Sequence, residues 1–415
     1  MAEEFIRFAG IDWGMSAHQV CVLDAEMSHT EERAVEHSGD GIAALADWLT
    51  KLSGGQPATT AVAIETPRGA VVETLVERGF AVFAINPKQL DRFRDRHTVA
   101  GAKDDRRDAF VLADSIRTDR QCFRRIRLDD PLVIQLRQLG RADEELAEEM
   151  SRLTNRLRDQ LHRFFSQVLQ LCPAADEPWI WTLLELVPTP SAAARLKPRA
   201  VDKLLRQHRI RRIDGAQVVA TLQTTPLTVA PGVAEAAVAH IALLRPRLRL
   251  VHSQRKHCAD EMDRLLDHLA SPAEGKAEHR DVEILQSLPG VGRFVSVTVL
   301  AEASSALADR DYTALRGLSG IAPVTRQSGK SRIVGMRRGC NGRLRNALYH
   351  WARVASQSDA PSRRYYDRLR ARGHKHARAL RSLADRLLRV LFAMLKAGAL
   401  YDADRAGQAV AAEVA

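Results

Sequence analysis

The first part of the chain alternates between short apolar runs and amphipathic stretches. The segments FAGIDWG and QVCVLD within residues 8–24 predict two strands joined at a Trp-Gly turn. The pattern then predicts an amphipathic helix from Asp40, a strand over residues 61–64, a helix around residues 71–78 and a strand over 81–85. Near-continuous apolar runs are typical of strands covered on both faces. Residues 1–127 are therefore predicted to form an α/β domain.

Beyond residue 131 the apolar positions follow a spacing of four and three. Nine of twelve such positions are apolar, and charged residues lie between them. This pattern predicts a long helix with a coiled-coil seam, which needs a partner: residues 251–269 folding back, or the same helix of a second subunit. Residues 128–275 are interpreted as this helical region, with a small helical insertion at 172–232. The twelve seam positions are Leu132, Leu136, Leu139, Asp143, Leu146, Met150, Leu153, Leu157, Gln160, Phe164, Gln167 and Leu171.

Residues 276–403 are predicted to form a mainly helical C-terminal domain, followed by a loose tail at 404–415. The segment LPGVG lies between two helical stretches and is typical of a helix-hairpin-helix turn. Gly290 and Gly292 would allow close backbone approach, and the second helix would offer its first N–H groups to a DNA phosphate. A simple turn between packed helices is the alternative.

The charge distribution points to a polyanionic partner. The chain has 415 residues, 45% of them hydrophobic, which excludes a disordered or collagen-like protein, and its formal net charge is +11. Residues 326–389 contain 18 Lys and Arg and three acids, a net charge of +15, so the rest of the chain sums to −4. This asymmetry is typical of a nucleic-acid-binding surface. The residues expected to contact phosphate include Arg337, Arg338, Arg343 and Arg345.

Cysteine use and the amino terminus indicate the compartment. Five cysteines show no zinc-ligand spacing and suggest no disulfide framework. The amino terminus lacks the order of a signal peptide, and no stretch reaches the ~18 apolar residues of a membrane span. We therefore expect a cytoplasmic protein without a membrane partner.

Four acids occupy positions that call for an explanation. Asp12 lies in an apolar strand, Glu65 ends another, and Asp105 and Asp108 are spaced to share one helix face. If the four converge, they would suit Mg²⁺, as a pair of ions, because hard divalent cations prefer carboxylate oxygens. Each acid singly also fits a structural role, in a turn, a cap or a solvated helix face. Asp104 competes with Asp105, since it pairs equally well with Asp108.

The order of the segments FAGIDWG, AVAIET, INPKQLDRFR and AKDDRRDA resembles the DEDD transposases of bacterial insertion sequences. The resemblance implies a RuvC-like domain with the ribonuclease-H fold, and it maps the four acids of that family onto Asp12, Glu65, Asp105 and Asp108. The family usually has Lys-Thr-Asp where this chain has Lys103, Asp104 and Asp105. This spacing favours Asp105, but an acid at the Thr position leaves Asp104 open.

The C-terminal segments LPGVG, GLSGIAPVTRQSGKSR and GCNGRLRNALYHWA resemble the transposase domain of the same family. The resemblance implies that Ser328 is the nucleophile that attaches covalently to DNA. A hydroxyl needs a base or metal to assist proton loss and cations to stabilise the charge that develops on phosphorus. Arg326, Lys330 and Arg332 are candidates for these cations, and a structural turn is the alternative role for the serine. Other hydroxyls considered are those of Ser331, Tyr365 and Tyr366; the two tyrosines are interpreted as core or stacking residues.

Together these features predict a transposase or recombinase that cuts and rejoins DNA with a magnesium-bound acidic tetrad and a serine nucleophile. The resemblance further implies a structured guide RNA, a bridge RNA encoded by the element, and a homo-oligomer, either dimer or tetramer. Two rival hypotheses remain. One is a RuvC-like junction-resolving endonuclease that uses water, and the other is a non-catalytic DNA-binding protein.

Overall fold

The computed structural model describes residues 4–96, 104–271, 278–329 and 331–402. Lys330 and the predicted tail at 404–415 lie outside the described residues. The chain divides into two compact units, residues 1–129 and residues 130–415, each of which is described by itself. The further division of the second unit into two domains stays a prediction. None of the helices in the described ranges is long and apolar enough to cross a membrane.

The first unit is a mixed α/β structure in which every predicted strand and helix is present. Three elements were not predicted from the sequence: the strand β3, the helix α3 and the short strand β6. The elements in chain order are β1 (Arg7–Asp12), β2 (Ala17–Asp24), β3 (Thr30–Glu36), α1 (Gly39–Leu52), β4 (Thr60–Ile64), α2 (Ala70–Glu77), β5 (Ala81–Ala84), α3 (Pro87–Arg94), α4 (Asp105–Thr118) and β6 (Arg124–Arg125).

Six strands form one sheet in the order β3-β2-β1-β4-β5-β6. The predicted hairpin of β1 and β2 is antiparallel, and so are the pairs β2/β3 and β5/β6. The central strands β1, β4 and β5 run parallel to one another. Such a mixed sheet is consistent with the ribonuclease-H-like fold that the resemblance implies.

Both faces of this sheet are covered, as the apolar runs predict. Alternate side chains of the strands pack with α1 and α2 on one face and with α3 and α4 on the other. Helix α4 crosses β1 at Gly10, where a Cβ atom would lie 2.0 Å from the Ala109 carbonyl oxygen. Glycine is required there because the backbones of strand and helix are in direct contact.

The second unit is almost entirely helical, with one exposed β-hairpin. Its elements are α5 (Pro131–Phe164), α6 (Gln167–Leu171), α7 (Pro178–Leu186), α8 (Pro190–Ala193), α9 (Pro198–Gln207), α10 (Gly215–Leu222), α11 (Val233–Ala270), α12 (Glu278–Ser287), α13 (Arg293–Glu302), α14 (Ser304–Ala308), α15 (Tyr312–Leu318), β7 (Val324–Ser328), β8 (Ser331–Gly335), α16 (Gly342–Ser358), α17 (Ala360–Ala371) and α18 (His376–Ala397).

The predicted long helix finds a partner in its own chain. Helix α11 packs antiparallel along α5, and Arg255 of α11 donates from Nε to Oδ1 of Asp143, 2.9 Å away. That ion pair explains why an acid, Asp143, occupies one of the mostly apolar seam positions. The helix ends at Phe164 rather than continuing to residue 171, and its partner is twice as long as the predicted stretch 251–269. A coiled coil in the strict sense stays a prediction.

Two hydrophobic cores hold this unit together. One is formed by the end of α5, the start of α11 and the helices between them, which confirms the helical nature of residues 172–232. The other joins the start of α5 and the end of α11 to the helices from α12 to α18. The C-terminal basic region therefore lies on a helical scaffold with its own apolar core.

Candidate functional site

Asp12 and Glu65 follow neighbouring parallel strands at the same level of the sheet. Asp12 is the last residue of β1, Glu65 comes directly after β4, and Ile11 is in register with Ile64. Adjacent strands lie about 4.8 Å apart, so the two acids emerge side by side at one edge. The side chains of both are partly buried. Carboxyl ends of neighbouring parallel strands are a common place for a binding site.

Helix α4 brings Asp108 to the same side of the sheet, because its next residue, Ala109, packs directly on β1 at Gly10. Asp108 is only 1% exposed, whereas Asp105, one turn earlier on the same face, is exposed. Asp104 caps the helix: its side chain accepts a hydrogen bond from the backbone N–H of Arg106. Asp104 thus has a structural task that Asp105 lacks.

Arg94, at the end of α3, is the immediate partner of the buried Asp108. Its Nε donates to Oδ1 at 2.5 Å and its second guanidinium nitrogen donates to Oδ2 at 2.8 Å. The hydrogen bond to Asp108 and the negative charges of Asp108, Asp91 and Glu65 raise the pKa of the Arg94 guanidinium. A buried carboxylate needs such a cation. Sequence reasoning missed this residue, although it lies inside the segment INPKQLDRFR that carries the resemblance.

The donor set fits a hard divalent cation, but the acids are not drawn together around one point. Among the described residues, no three of Asp12, Glu65, Asp105 and Asp108 bring carboxylate oxygens within 4.8 Å of one another. The ligand atoms that do lie this close together in the described part of the chain are the Cys172 sulfur and carboxylate oxygens of Asp176 and Glu177, and there Glu177 already binds Arg212 and Trp179. Asp108 already has a cation beside it in Arg94, so the observation that favours a metal ion at the acidic edge is the side-by-side placement of Asp12 and Glu65.

The turn after Asp12 is held by a pair of histidines that the sequence analysis did not identify. The backbone N–H of Gly14 donates to Nδ1 of His18, and Nε2 of His18 lies 2.8 Å from Nδ1 of His37. His18 is fully buried. Burial lowers the pKa of His18, and the nearby His37 lowers it further, so His18 is neutral and can accept the Gly14 hydrogen bond.

Ser328 lies at the tip of the exposed hairpin of β7 and β8. It ends β7 opposite Ser331, and Gly329, with φ of 55°, begins the turn between them. Alternation along the strand places Arg326 on the same face as Ser328, whereas Arg332 is opposite Gln327 on the other face. The side chains of Arg326, Ser328, Ser331 and Arg332 are exposed. The described part of the chain shows no hydrogen bond to the Ser328 hydroxyl.

The loop that follows the hairpin is anchored by a buried carboxylate, Glu302 of α13. Arg141 of α5 donates to both of its oxygens, at 2.9 and 3.1 Å, and the Asn341 amide donates at 2.8 Å. Asn341 also caps α16. Burial raises the pKa of Glu302, but the Arg141 and Asn341 hydrogen bonds outweigh this effect and lower the pKa overall. The cluster fixes the base of the serine hairpin to the helical scaffold.

The LPGVG segment joins α12 to α13, as predicted, and its first glycine allows a close backbone approach. Gly290 has φ of 80°, and a Cβ atom there would lie 2.7 Å from the backbone nitrogen of Ala355 in α16. Its close approach is thus to a helix of the same unit. Gly292 faces open space at the N-terminus of α13. DNA contact at this turn stays a prediction.

The predicted phosphate-binding arginines differ in their surroundings. Arg343 forms an ion pair with Glu144 of α5, so its charge is already balanced. Arg338 and Arg345 are exposed, and Arg337 is partly buried. Tyr365 lies between the guanidinium groups of Arg368 and Arg386 and packs against the core, in keeping with its interpretation as a core or stacking residue.

Two family models match the chain. The DEDD transposase model of the IS110 type matches residues 9–166, which contain all four acids. The transposase model of the IS116/IS110/IS902 family matches residues 282–367, which contain the serine hairpin. The matched segments thus include the four acids and the serine hairpin, the two regions that the sequence predicts to be functional.

The curated relatives support the same family as the two models. The y4uE protein of Sinorhizobium fredii (strain NBRC 101917 / NGR234), which its name assigns provisionally to the transposases, is 50% identical over 52% of this chain; this match spans 60% of that relative's length. The mini-circle candidate transposase for IS117 of Streptomyces coelicolor is 32% identical over 96% of both chains. The 43.6 kDa protein of insertion element IS110 from the same species is 31% identical over 95% of both. The chain therefore belongs to the IS110 family of DEDD transposases of insertion sequences, and it is a DNA transposase.

Proposed function

We propose that this transposase cuts and rejoins DNA with Mg²⁺ held by Asp12, Glu65, Asp105 and Asp108, and with Ser328 as the nucleophile. The observation that carries the proposal is the placement of Asp12 and Glu65 at one level of the sheet, with the buried Asp108 on the helix that packs against β1. Structural acids in turns and caps are usually exposed and do not share a sheet edge. Asp105 completes the set because Asp104 is occupied as a helix cap.

The donor atoms are those that Mg²⁺ prefers, carboxylate oxygens alone. When bound, the ions would neutralise the phosphate oxygens and assist loss of the hydroxyl proton. The guanidinium of Arg94 meanwhile holds both carboxylate oxygens of the buried Asp108 in place. The protein thus holds the negative charge in place before any cation arrives.

Ser328 would attack the phosphorus atom of one DNA strand through its Oγ. The Oγ–H bond and the phosphorus–oxygen bond to the departing strand break, a phosphoserine bond forms, and the departing sugar oxygen takes up a proton. Arg326, on the same face of the hairpin, would stabilise the charge that develops on phosphorus. The phosphoserine bond conserves the phosphodiester energy, so attack by a strand hydroxyl can rejoin DNA without a further energy source.

Partners follow from the family and from the charge. The basic C-terminal region supports binding of DNA and of a structured guide RNA encoded by the element. The family resemblance further implies a homo-oligomer, dimer or tetramer, and the exposed Ser328 hydroxyl, which has no hydrogen-bond partner in the described part of the chain, would be open to groups of another subunit.

The experiment incubates the protein with Mg²⁺, labelled insertion-junction DNA, and the transcribed non-coding segment of the element. Denaturing electrophoresis then detects DNA linked covalently to protein. Ser328→Ala should lose both cleavage and the adduct, Asp12→Ala should lose both as well, and DNA binding should persist in each. Ser331→Ala is the matched control and should keep activity, because it removes a hydroxyl from the same turn.

Each rival hypothesis predicts a different result in the denaturing electrophoresis. Cleavage by the wild-type protein without any adduct would favour the junction-resolving endonuclease, which uses water. Binding without cleavage under all conditions would favour the non-catalytic DNA-binding protein. Peptide mapping of the adduct to Ser331, Tyr365 or Tyr366 would refute Ser328 as the nucleophile.

A further inference from the structure

Five aromatic rings form a continuous row on the surface of the second unit. Phe294 of α13 contacts His350 of α16 with ring centroids 6.0 Å apart, and His350 contacts Tyr349 at 5.6 Å. Tyr349 contacts His376 of α18 at 6.4 Å, and His376 contacts Tyr366 of α17 at 5.9 Å. The row therefore crosses four helices, α13 and the three consecutive helices α16, α17 and α18.

Three rings of the row, Phe294, Tyr349 and His376, are exposed, and the other two, His350 and Tyr366, are partly buried. Phe294 is 45% exposed and Tyr349 is 37% exposed. A groove of about 450 Å³ adjoins Phe294 and His350, and its walls are apolar, with Val295 and Val354 beside the open backbone of Gly292. Exposed apolar surface of this kind marks an interaction site.

The rings are ordered before any ligand binds. The Tyr366 hydroxyl lies 2.7 Å from Nδ1 of His376, which fixes two rings relative to each other. Phe294 is carried on α13, and Tyr349 and His350 are carried on α16; both helices pack into the core. Preorganised rings bind with little loss of side-chain entropy.

Cations border the row. Arg345 and Arg353 lie one helical turn before and after Tyr349 on α16, and Lys375 and Arg378 flank His376. These four side chains are exposed, and within the described part of the chain none forms an ion pair with a carboxylate. A partner for this surface must therefore offer both negative charge and flat apolar faces.

We propose that this aromatic row is a stacking platform for the unpaired bases of a single nucleic-acid strand. Bases expose their faces for stacking only when they are unpaired, and aromatic rings beside cations are the usual means of binding them. A duplex would present phosphates alone and leave the rings unused. The inference rests on the proposed function, since it assigns the surface that receives a strand handled by the transposase.

The test measures fluorescence anisotropy of labelled 12-nucleotide oligomers, dT and rU, and of a DNA duplex of the same length. EDTA and the Asp12→Ala background exclude cleavage, so binding is measured even if the proposed chemistry is wrong. Phe294→Leu and Tyr349→Leu should each weaken single-strand affinity by about tenfold and change duplex affinity less than twofold. Tyr349→Phe, which keeps the ring, and Leu250→Ala, an exposed apolar change on α11, should match the parent.

The outcomes separate the alternatives. Unchanged single-strand affinity in both Leu variants, or an equal loss for the duplex, would overturn the proposal. So would a change in sedimentation of the Tyr349→Leu protein with unchanged affinity, which would show that the row is an interface between copies. Photocrosslinking with 5-iodouracil oligomers should map to Phe294 or Tyr349, and crosslinks confined to other residues would contradict it. Tighter binding of rU or of dT would identify guide RNA or displaced DNA as the strand.

Discussion

Asp104 and Asp105 are neighbours with different tasks at the start of α4. The Asp104 side chain accepts a backbone hydrogen bond as the helix cap, whereas Asp105 is exposed one turn before the buried Asp108. The difference matters because asparagine caps a helix about as well as aspartate but is a poorer ligand for Mg²⁺.

We predict that Asp104→Asn keeps strand cleavage and that Asp105→Asn loses it. The free energy of unfolding should change by less than about 0.5 kcal/mol in both, since the cap is preserved in the first and the second residue is exposed. Cleavage of junction DNA and urea denaturation are the measurements. Loss of cleavage in the Asp104 variant alone would reverse the assignment.

At the scale of elements, the contact between β1 and α4 positions the acidic edge. A methyl group on Gly10 would lie 2.0 Å from the Ala109 carbonyl oxygen and 2.4 Å from the Ala113 nitrogen. Neither backbone atom can move without shifting the helix that carries Asp108. The acid set thus depends on a glycine in the middle of a strand.

We therefore predict that Gly10→Ala destabilises the protein by about 3 kcal/mol or more and abolishes cleavage in the fraction that folds. Gly39→Ala is the control, because a Cβ atom at that position meets no atom within 4 Å. The free energy of unfolding from urea titration checks the first part. An unchanged value for Gly10→Ala would show that α4 does not rest on β1 as described.

The stability that Glu302 contributes to the anchor of the serine hairpin depends on pH. Hydrogen bonds from Arg141 and Asn341 lower the pKa of Glu302 in the folded state below the ~4.3 expected for the unfolded chain. The stability from this carboxylate is therefore fully present above about pH 4.3 and is lost as the pH falls through the folded value.

We predict that Glu302→Gln lowers the free energy of unfolding by about 2 kcal/mol at pH 7, with a smaller difference from wild type at pH 3. The urea midpoint of both proteins, measured between pH 7 and pH 3, provides the comparison. Asp367→Asn is a control carboxylate change on the exposed surface of α17. If the difference in the free energy of unfolding between the two proteins stays constant from pH 7 to pH 3, the pKa of Glu302 is the same in the folded and unfolded states.

At the scale of the whole molecule, charge is concentrated in one region. Residues 326–389 carry a net charge of +15 within a chain of +11. The structure divides these cations into two kinds, those balanced by an acid, such as Arg343 with Glu144, and exposed ones such as Arg345. Release of counterions from DNA depends on the second kind.

We predict that Arg345→Ala reduces the slope of log affinity against log salt by about one unit and weakens binding to all sequences alike. Arg343→Ala should reduce the slope by less than half as much, because its charge is already paired. Anisotropy titrations from 50 to 200 mM salt measure both slopes. Equal slopes for Arg345→Ala and the wild-type protein would show that Arg345 faces solvent in the complex.

The sequence by itself determined the elements and the family. The β1/β2 hairpin, the strand before Glu65 and most of the long helix are set by local periodicity, because side chains repeat every two residues in a strand and every 3.6 in a helix. The motif order indicated the transposase family, which the family models and relatives confirm. The roles of the individual site residues stay predictions.

Only the tertiary structure decided which distant residues meet. It paired Arg94 with Asp108, placed α11 along α5, and brought the backbone of α16 against Gly290. It also assembled the aromatic row from helices that share no sequence motif. The physical reason is that such contacts depend on the packing of whole elements, which no local period encodes.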